Sequence, residues 1–142
     1  MPLRGVILWI HALSGATWVA ACGCFVIAGL ALETGSDEQR SFVERVVPKI
    51  NLLVAAAAGL LLATGVANFA LLGAARGFQF STQFGIVLGA KVVLFIGMVL
   101  ALSAALRTAA RPHAMPRLVG YHGAIAAMGG LALLLGLWLM GT

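Results

Sequence analysis

The residues best suited to chemistry in this sequence are a few ionisable, thiol and indole side chains inside long apolar runs. His11, Ser14, Trp18 and Cys22 are separated by three, four and four residues, so a helix would place them on one face. The imidazole of His11 could bind a metal, and the indole of Trp18 could pack on a flat aromatic cofactor. The structural alternative is a buried His11 bonded to Ser14 or to a backbone carbonyl, with Trp18 as packing.

Lys91 and His122 are the other ionisable side chains within apolar runs. All four acids lie between residues 33 and 44, so Lys91 has no carboxylate in its own run. Such an ammonium is not explained by a structural ion pair, and it either extends to the membrane surface or meets an exogenous anion. His122 follows Tyr121 near the start of the last run, where core packing is the simpler interpretation.

Two cysteines, Cys22 and Cys24, lie in the first apolar run. Residues two apart on a helix point about 200° away from each other, which argues against an intrachain disulfide. Thiols can ligate Cu(I), but core packing of Cys22 and Cys24 explains them more simply.

The amino-acid composition indicates the environment in which these residues lie. Of 142 residues, 62% are hydrophobic and 9% charged, against roughly 25% charged in a typical soluble domain. The sequence therefore predicts an all-α integral membrane protein without nucleic-acid partners, with the whole chain, 1–142, as one membrane domain. Four runs are long enough to span a bilayer, and a short amphipathic surface helix is predicted between the first two; the spans are 5–32, 49–73, 84–106 and 118–141, and the short helix is 37–47.

The distribution of Lys and Arg predicts the orientation. The first and third connections carry six of these residues, whereas the N-terminus and the second connection carry Arg4 and Arg76. The positive-inside rule then places both termini outside, which is the periplasm if the membrane is a bacterial inner membrane. At about 1.5 Å per residue, His11, Asn68 and Lys91 share a layer in the outer half, while His122 lies in the inner half.

Small residues form stripes on two spans. The second span has a small residue at every fourth position: Ala55, Gly59, Ala63 and Ala67. The fourth span has a similar stripe: Gly123, Ala127 and Gly130. Such stripes let helices approach closely in lipid. The simpler interpretation is packing within the four-helix bundle, and the alternative is a homodimer interface or a contact with a partner membrane subunit.

The first and third spans resemble those of a known superfamily. Residues 9–18 read WIHALSGATW and residues 84–96 read FGIVLGAKVVLFI. They are similar to the superfamily that contains the copper-resistance protein D (CopD) domain and the HemJ-type protoporphyrinogen oxidases. The resemblance implies a compact four-helix membrane unit and, from the HemJ branch, haem b with His11 as the expected ligand. Gly89 stands where the HemJ-type third helix usually has a histidine.

Three functions are compatible with these observations. The first is a haem-b-binding redox or electron-transfer protein in which His11 ligates iron, Lys91 contacts a propionate or substrate, Trp18 packs on the macrocycle and Asn68 shares the layer. If it is an enzyme, it would be a membrane oxidoreductase acting on a porphyrinogen or quinol.

The second function is a copper-handling permease that passes Cu(I) along His11, Cys22, Cys24 and His122. The third is a small accessory subunit of a respiratory or photosynthetic complex. Because His11 and His122 lie at different depths, they fit poorly as two axial ligands of one haem within one subunit.

Overall fold

The computed structural model describes residues 2–33, 35–109, 111 and 114–141, and the fold is all-α. Five helices follow one another along the chain: α1 (Pro2–Ala31), α2 (Asp37–Arg45), α3 (Val47–Ala75), α4 (Thr82–Ala109) and α5 (Met115–Gly141). The four long helices are long and apolar enough to cross a membrane. α3, α4 and α5 contain the predicted spans and begin a few residues earlier, whereas α1 begins earlier but ends at Ala31, one residue before the predicted bound. The predicted surface helix is present as α2, which ends at Arg45, two residues before the predicted bound.

Local sequence signals explain where several helices begin. Ser36 caps α2 by accepting a hydrogen bond from the Gln39 backbone N–H at 3.1 Å. Pro48 lies in the first turn of α3, where its missing N–H costs no helical bond. Ser81, just before α4, accepts a bond from the Phe84 backbone N–H at 3.2 Å.

The long helices form an antiparallel bundle with one loosely closed side. α1 packs against both α3 and α5, and α5 packs against α4, whereas α3 and α4 make few contacts. Gly15 of α1 faces Leu61 of α3 on one side and Leu133 of α5 on the other. The start of α1, the end of α5 and the α3–α4 connection lie at one end of the bundle, called here the termini end, and α2 lies at the other.

Two apolar clusters fill the bundle. The central cluster joins all four long helices, and the α2-end cluster joins them again closer to α2, where Phe42 and Val43 of α2 cover it. The central cluster consists of Trp18, Cys22, Val54, Ala57, Ala58, Met98, Leu102 and Ile125. The α2-end cluster consists of Phe25, Val47, Ala105, Ala114, Met115 and Leu118.

The outside of the bundle is apolar along its length. Large side chains on each long helix are more than half exposed, among them Trp9, Ile27, Leu52, Ile86 and Leu134. A continuous apolar exterior of this kind is typical of a protein whose solvent is lipid. The protein is therefore a membrane protein built as an α-helical bundle.

The small-residue stripe of α3 does not pack within the bundle. Ala55, Gly59 and Ala63 are exposed and Ala67 is half-buried, and a Cβ added at Gly59 would meet no described atom of a neighbouring helix within 4 Å. The simpler interpretation of this stripe was therefore wrong. Close helix contacts are made by other glycines instead, since Gly29 faces Met115 and Val119, and Gly129 faces Val19.

Candidate functional site

His11 is held across the α1–α3 interface by a hydrogen bond that fixes its tautomer. Its Nδ1 lies 3.0 Å from Oγ1 of Thr64, and that hydroxyl donates its own proton to the Leu60 carbonyl at 2.6 Å. Because a hydroxyl has a single proton, Thr64 can only accept from His11. Nδ1 therefore carries the imidazole proton, and Nε2 is left with a free lone pair.

Two glycines shape the surroundings of this layer. A Cβ at Gly65 would lie 3.3 Å from Cε1 of His11, so the absence of a side chain lets the imidazole lie close to α3. On α5, a Cβ at Gly136 would lie 2.7 Å from Nζ of Lys91, so the ammonium lies directly on that helix backbone. His11 and Lys91 are both half-buried.

Lys91 brings a positive charge into the same layer. Its Nζ lies against Gly136 of α5, three residues after the Leu133 that faces Gly15 of α1, and therefore at about the level of His11. Among the described residues, the one ion pair joins Arg40 and Asp37 on α2, at 3.8 Å and at the far end of the bundle. Lys91 therefore has no carboxylate partner among the described residues, as the sequence predicts.

Asn68 completes the layer from α3. It lies four residues after Thr64, and so on the same face of the helix. Its Oδ1 is buried and has no hydrogen-bond partner among the described residues. The structure thus brings His11, Lys91 and Asn68 to the termini half of the bundle, and adds Thr64, which the sequence reasoning missed. The four-residue spacing of Thr64 and Asn68 could have indicated this role, because it places both polar side chains on one face of α3.

An aromatic stack closes the loose α3–α4 side at the termini end. Phe69 of α3 stacks on Phe80 with ring centroids 5.5 Å apart, and Phe80 stacks on Phe84 of α4 at 4.7 Å. Elsewhere α3 and α4 make few contacts with each other.

Trp18 and Ser14 are buried and contact only the protein's own residues. Trp18 is fully buried in the central cluster and meets Phe95 edge to face, with ring centroids 5.7 Å apart. Ser14 donates to the Ile10 carbonyl at 2.7 Å and does not bond His11. In this structure Trp18 packs against protein, which leaves no free indole face for a cofactor.

The cysteines are separated by their positions on α1. Cys22 is buried in the central cluster and Cys24 is exposed, and both are free thiols. No group of three or more His, Cys, Asp or Glu side chains suited to a metal comes together among the described residues. The pair therefore does not form a single binding site with either histidine in this part of the chain.

His122 lies in the α2 half of the bundle and is fully buried. Its Nδ1 is 2.9 Å from the Leu118 carbonyl, and its ring stacks on Phe25 with centroids 4.1 Å apart. A carbonyl can only accept, so Nδ1 carries the proton here as well. His122 and His11 lie in different halves of the bundle, as the sequence predicts.

A lateral groove of about 280 Å³ runs between α1 and α3 on the lipid side. Its lining is apolar apart from Ser14 and Thr17. The groove presents no ionisable group, so it adds no reacting side chain to the layer of His11 and Lys91.

Comparisons of this chain with protein-family models, with curated proteins and with solved structures gave no match. The resemblance to the CopD and HemJ-type superfamily therefore stays a prediction.

Proposed function

We propose that this protein binds haem b in the membrane and acts in redox or electron-transfer chemistry. The observation that supports this most directly is the bond from Nδ1 of His11 to Thr64. Histidines that ligate metals usually donate from the other ring nitrogen to a fixed acceptor, which sets the tautomer and the ring orientation. His11 has this arrangement, and its free Nε2 lone pair is the form that an iron requires.

The remaining residues of the layer fit the polar parts of such a cofactor. Lys91 supplies a positive charge without a carboxylate partner, which suits a haem propionate or the oxygen of a quinone. The unpaired Oδ1 of Asn68 supplies an acceptor for a substrate or a protonated propionate. Trp18 is not part of the proposed site because it is buried in the central cluster.

The chain itself would bind, orient and shield, while a bound haem supplies one-electron chemistry. His11 and Thr64 would set the direction of the ligand bond, and Lys91 would hold an anionic group in the same layer. A hydrophobic reductant such as a porphyrinogen or a quinol would reach this layer through the bilayer, on the loosely packed α3–α4 side.

The test is an absorption spectrum of the detergent-purified protein, oxidised and then reduced with dithionite. We expect haem b bands at near-stoichiometric content in the native protein and their loss in His11→Ala. Leu13→Ala is the matched control, because Leu13 is a lipid-exposed residue on the same helix, and this variant should keep its haem. A native protein that is colourless after expression with ample haem would overturn the proposal.

We further propose a bacterial inner-membrane location with both termini in the periplasm. The support is the asymmetry of six Lys or Arg in the first and third connections against Arg4 and Arg76 on the other side. The exposed face of Ala55, Gly59 and Ala63 supports association with a second copy or with a partner membrane subunit. The copper route along Cys22 and Cys24 has no observation in its favour.

A further inference from the structure

A polar layer separates the two apolar clusters of the core. Val47 and Leu118 belong to the α2-end cluster, and Val54 and Ile125 belong to the central cluster. Asn51 lies on α3 between Val47 and Val54, at spacings of four and three residues. His122 has the same spacings from Leu118 and Ile125 on α5, so both polar side chains enter the layer between the clusters.

The register of the helices supports this placement. Val26 of α1 lies against Gly123 of α5, one residue after His122. On the other side of α1, Gly15 lies against Leu61, and continuing that antiparallel pairing for ten residues brings Asn51 level with Phe25. Phe25 itself stacks on His122. Asn51 and His122 are therefore at one level, on two helices that flank α1.

Both side chains end in a buried acceptor that the described protein atoms leave unpaired. Asn51 is 4% exposed and His122 is 0% exposed, and neither Oδ1 of Asn51 nor Nε2 of His122 has a hydrogen-bond partner among the described residues. Nε2 is an acceptor because Nδ1 uses the proton on the Leu118 carbonyl. Leaving such groups buried and unpaired destabilises the folded protein, because they lose their hydrogen bonds to water.

We propose that Asn51 and His122 form a binding site for an internal water molecule. Two acceptors at one level select a ligand with two donor hydrogens, and water is the smallest such ligand. Its size suits a layer that the protein encloses, whereas a quinol or a macrocycle would need an opening. A metal ion would need further ligands, and no three-residue group of His, Cys, Asp or Glu occurs among the described residues.

This site is separate from the His11 layer and does not depend on the proposed haem. It places a hydrated imidazole in the α2 half of a bundle whose exterior faces lipid. A water molecule bound to Nε2 of His122 brings exchangeable protons next to this nitrogen, whereas an imidazole enclosed only by apolar side chains has none beside it. The proposal can therefore be tested by measuring contact between water and Nε2 of His122.

The first experiment is water-edited solid-state NMR of the ¹⁵N-histidine-labelled protein in lipid bilayers. The chain has three histidines, so the His122 signals are assigned by elimination in His11→Gln and His113→Gln. We expect magnetisation to pass from water to Nε2 of His122, and to fall severalfold in Asn51→Leu while the His11 signal is unchanged. Absence of transfer in the native protein, or the same transfer in Asn51→Leu, would overturn the proposal.

The second experiment is a double-mutant cycle read by the melting temperature. A water shared by two acceptors loses one anchor in Asn51→Leu and the other in His122→Phe, so we expect each variant to melt several degrees lower. The double variant makes the layer apolar and should recover most of the loss. Additive losses in the double variant would mean that the two residues share no ligand, and would contradict the proposal.

Discussion

Thr64 of α3 accepts the Nδ1 proton of His11 of α1, and this bond across two membrane helices fixes which nitrogen of the imidazole is free. The direction of the bond follows from the hydroxyl proton of Thr64, which is already donated to the Leu60 carbonyl. The relationship links packing to chemistry, because the α1–α3 contact that stabilises the bundle also orients the candidate ligand.

Replacing Thr64 with valine should weaken haem binding without removing the ligand itself. The change keeps the branched shape but removes the acceptor, so the imidazole loses its fixed tautomer and orientation. Loss of an outer partner of this kind typically costs 10–100-fold in affinity. Haem titration of the apoprotein in detergent measures it, and Thr64→Ser, which retains the hydroxyl, should stay close to the native value. Equal affinity in Thr64→Val and the native protein would remove this role from Thr64.

Lys91 should matter for its charge more than for its volume. Lys91→Met keeps a long apolar stem and removes the ammonium, so we expect lower haem retention through detergent washing, whereas Lys91→Arg should retain more. Gly136→Ala tests the position of the ammonium, because the new Cβ would lie 2.7 Å from Nζ and displace the flexible end of the lysine. We expect Gly136→Ala to alter haem retention with little change in melting temperature. A Lys91→Met protein that retains haem like the native one would assign Lys91 to surface anchoring.

The membrane fold was predictable from the sequence because its signals are long and redundant. Each span is an apolar run longer than a bilayer requires, and the helix starts carry local markers such as Ser36 and Pro48. Depth along a helix is also fixed by counting residues. The predicted layer of His11, Asn68 and Lys91, and its separation from His122, followed from that count.

The direction in which a residue faces around its helix was not predictable in the same way. Helices that are apolar all round carry no polar stripe to mark the lipid side, so Ala55 and Gly59 could be assigned to either face. Trp18 shares a helical face with His11, yet it is buried in the central cluster. Thr64 was missed because its role depends on the α1–α3 register, which the sequence alone does not contain.

The proposed orientation can be tested with single cysteines in a background where Cys22 and Cys24 are replaced by alanine. Glu38→Cys reports on the α1–α3 connection and Gln79→Cys on the α3–α4 connection, and both side chains are exposed. A membrane-impermeant maleimide added to intact spheroplasts should label Gln79→Cys and leave Glu38→Cys unlabelled until the membrane is opened. The reverse pattern would place the termini in the cytoplasm.

The exposed stripe of α3 should mediate association between helices of different chains. Gly59→Leu adds a large side chain where a Cβ would meet no described atom of a neighbouring helix within 4 Å, so the fold of one copy should be unaffected. Energy transfer between labelled copies in liposomes should fall in this variant. Ile86→Ala, at an exposed position on α4 and so outside the stripe, serves as the control and should retain the native signal. Unchanged transfer in Gly59→Leu would exclude this face from a homodimer interface.

Two adjacent glycines of α5 offer a sharp test of the packing. A Cβ at Gly129 would lie 2.5 Å from Cγ2 of Val19 and 3.1 Å from Cε of Met98, whereas a Cβ at Gly130 would meet no atom within 4 Å. Val19 is β-branched and has one strongly preferred rotamer in a helix, so it cannot turn away.

Gly129→Ala should therefore lower the free energy of unfolding by about 1–3 kcal/mol, as overpacking does. Gly130→Ala should leave it unchanged or raise it by up to about 1 kcal/mol, because alanine restricts the unfolded backbone. Unfolding in mixed detergent micelles measures both variants, and equal effects would contradict the close α1–α5 approach at Gly129.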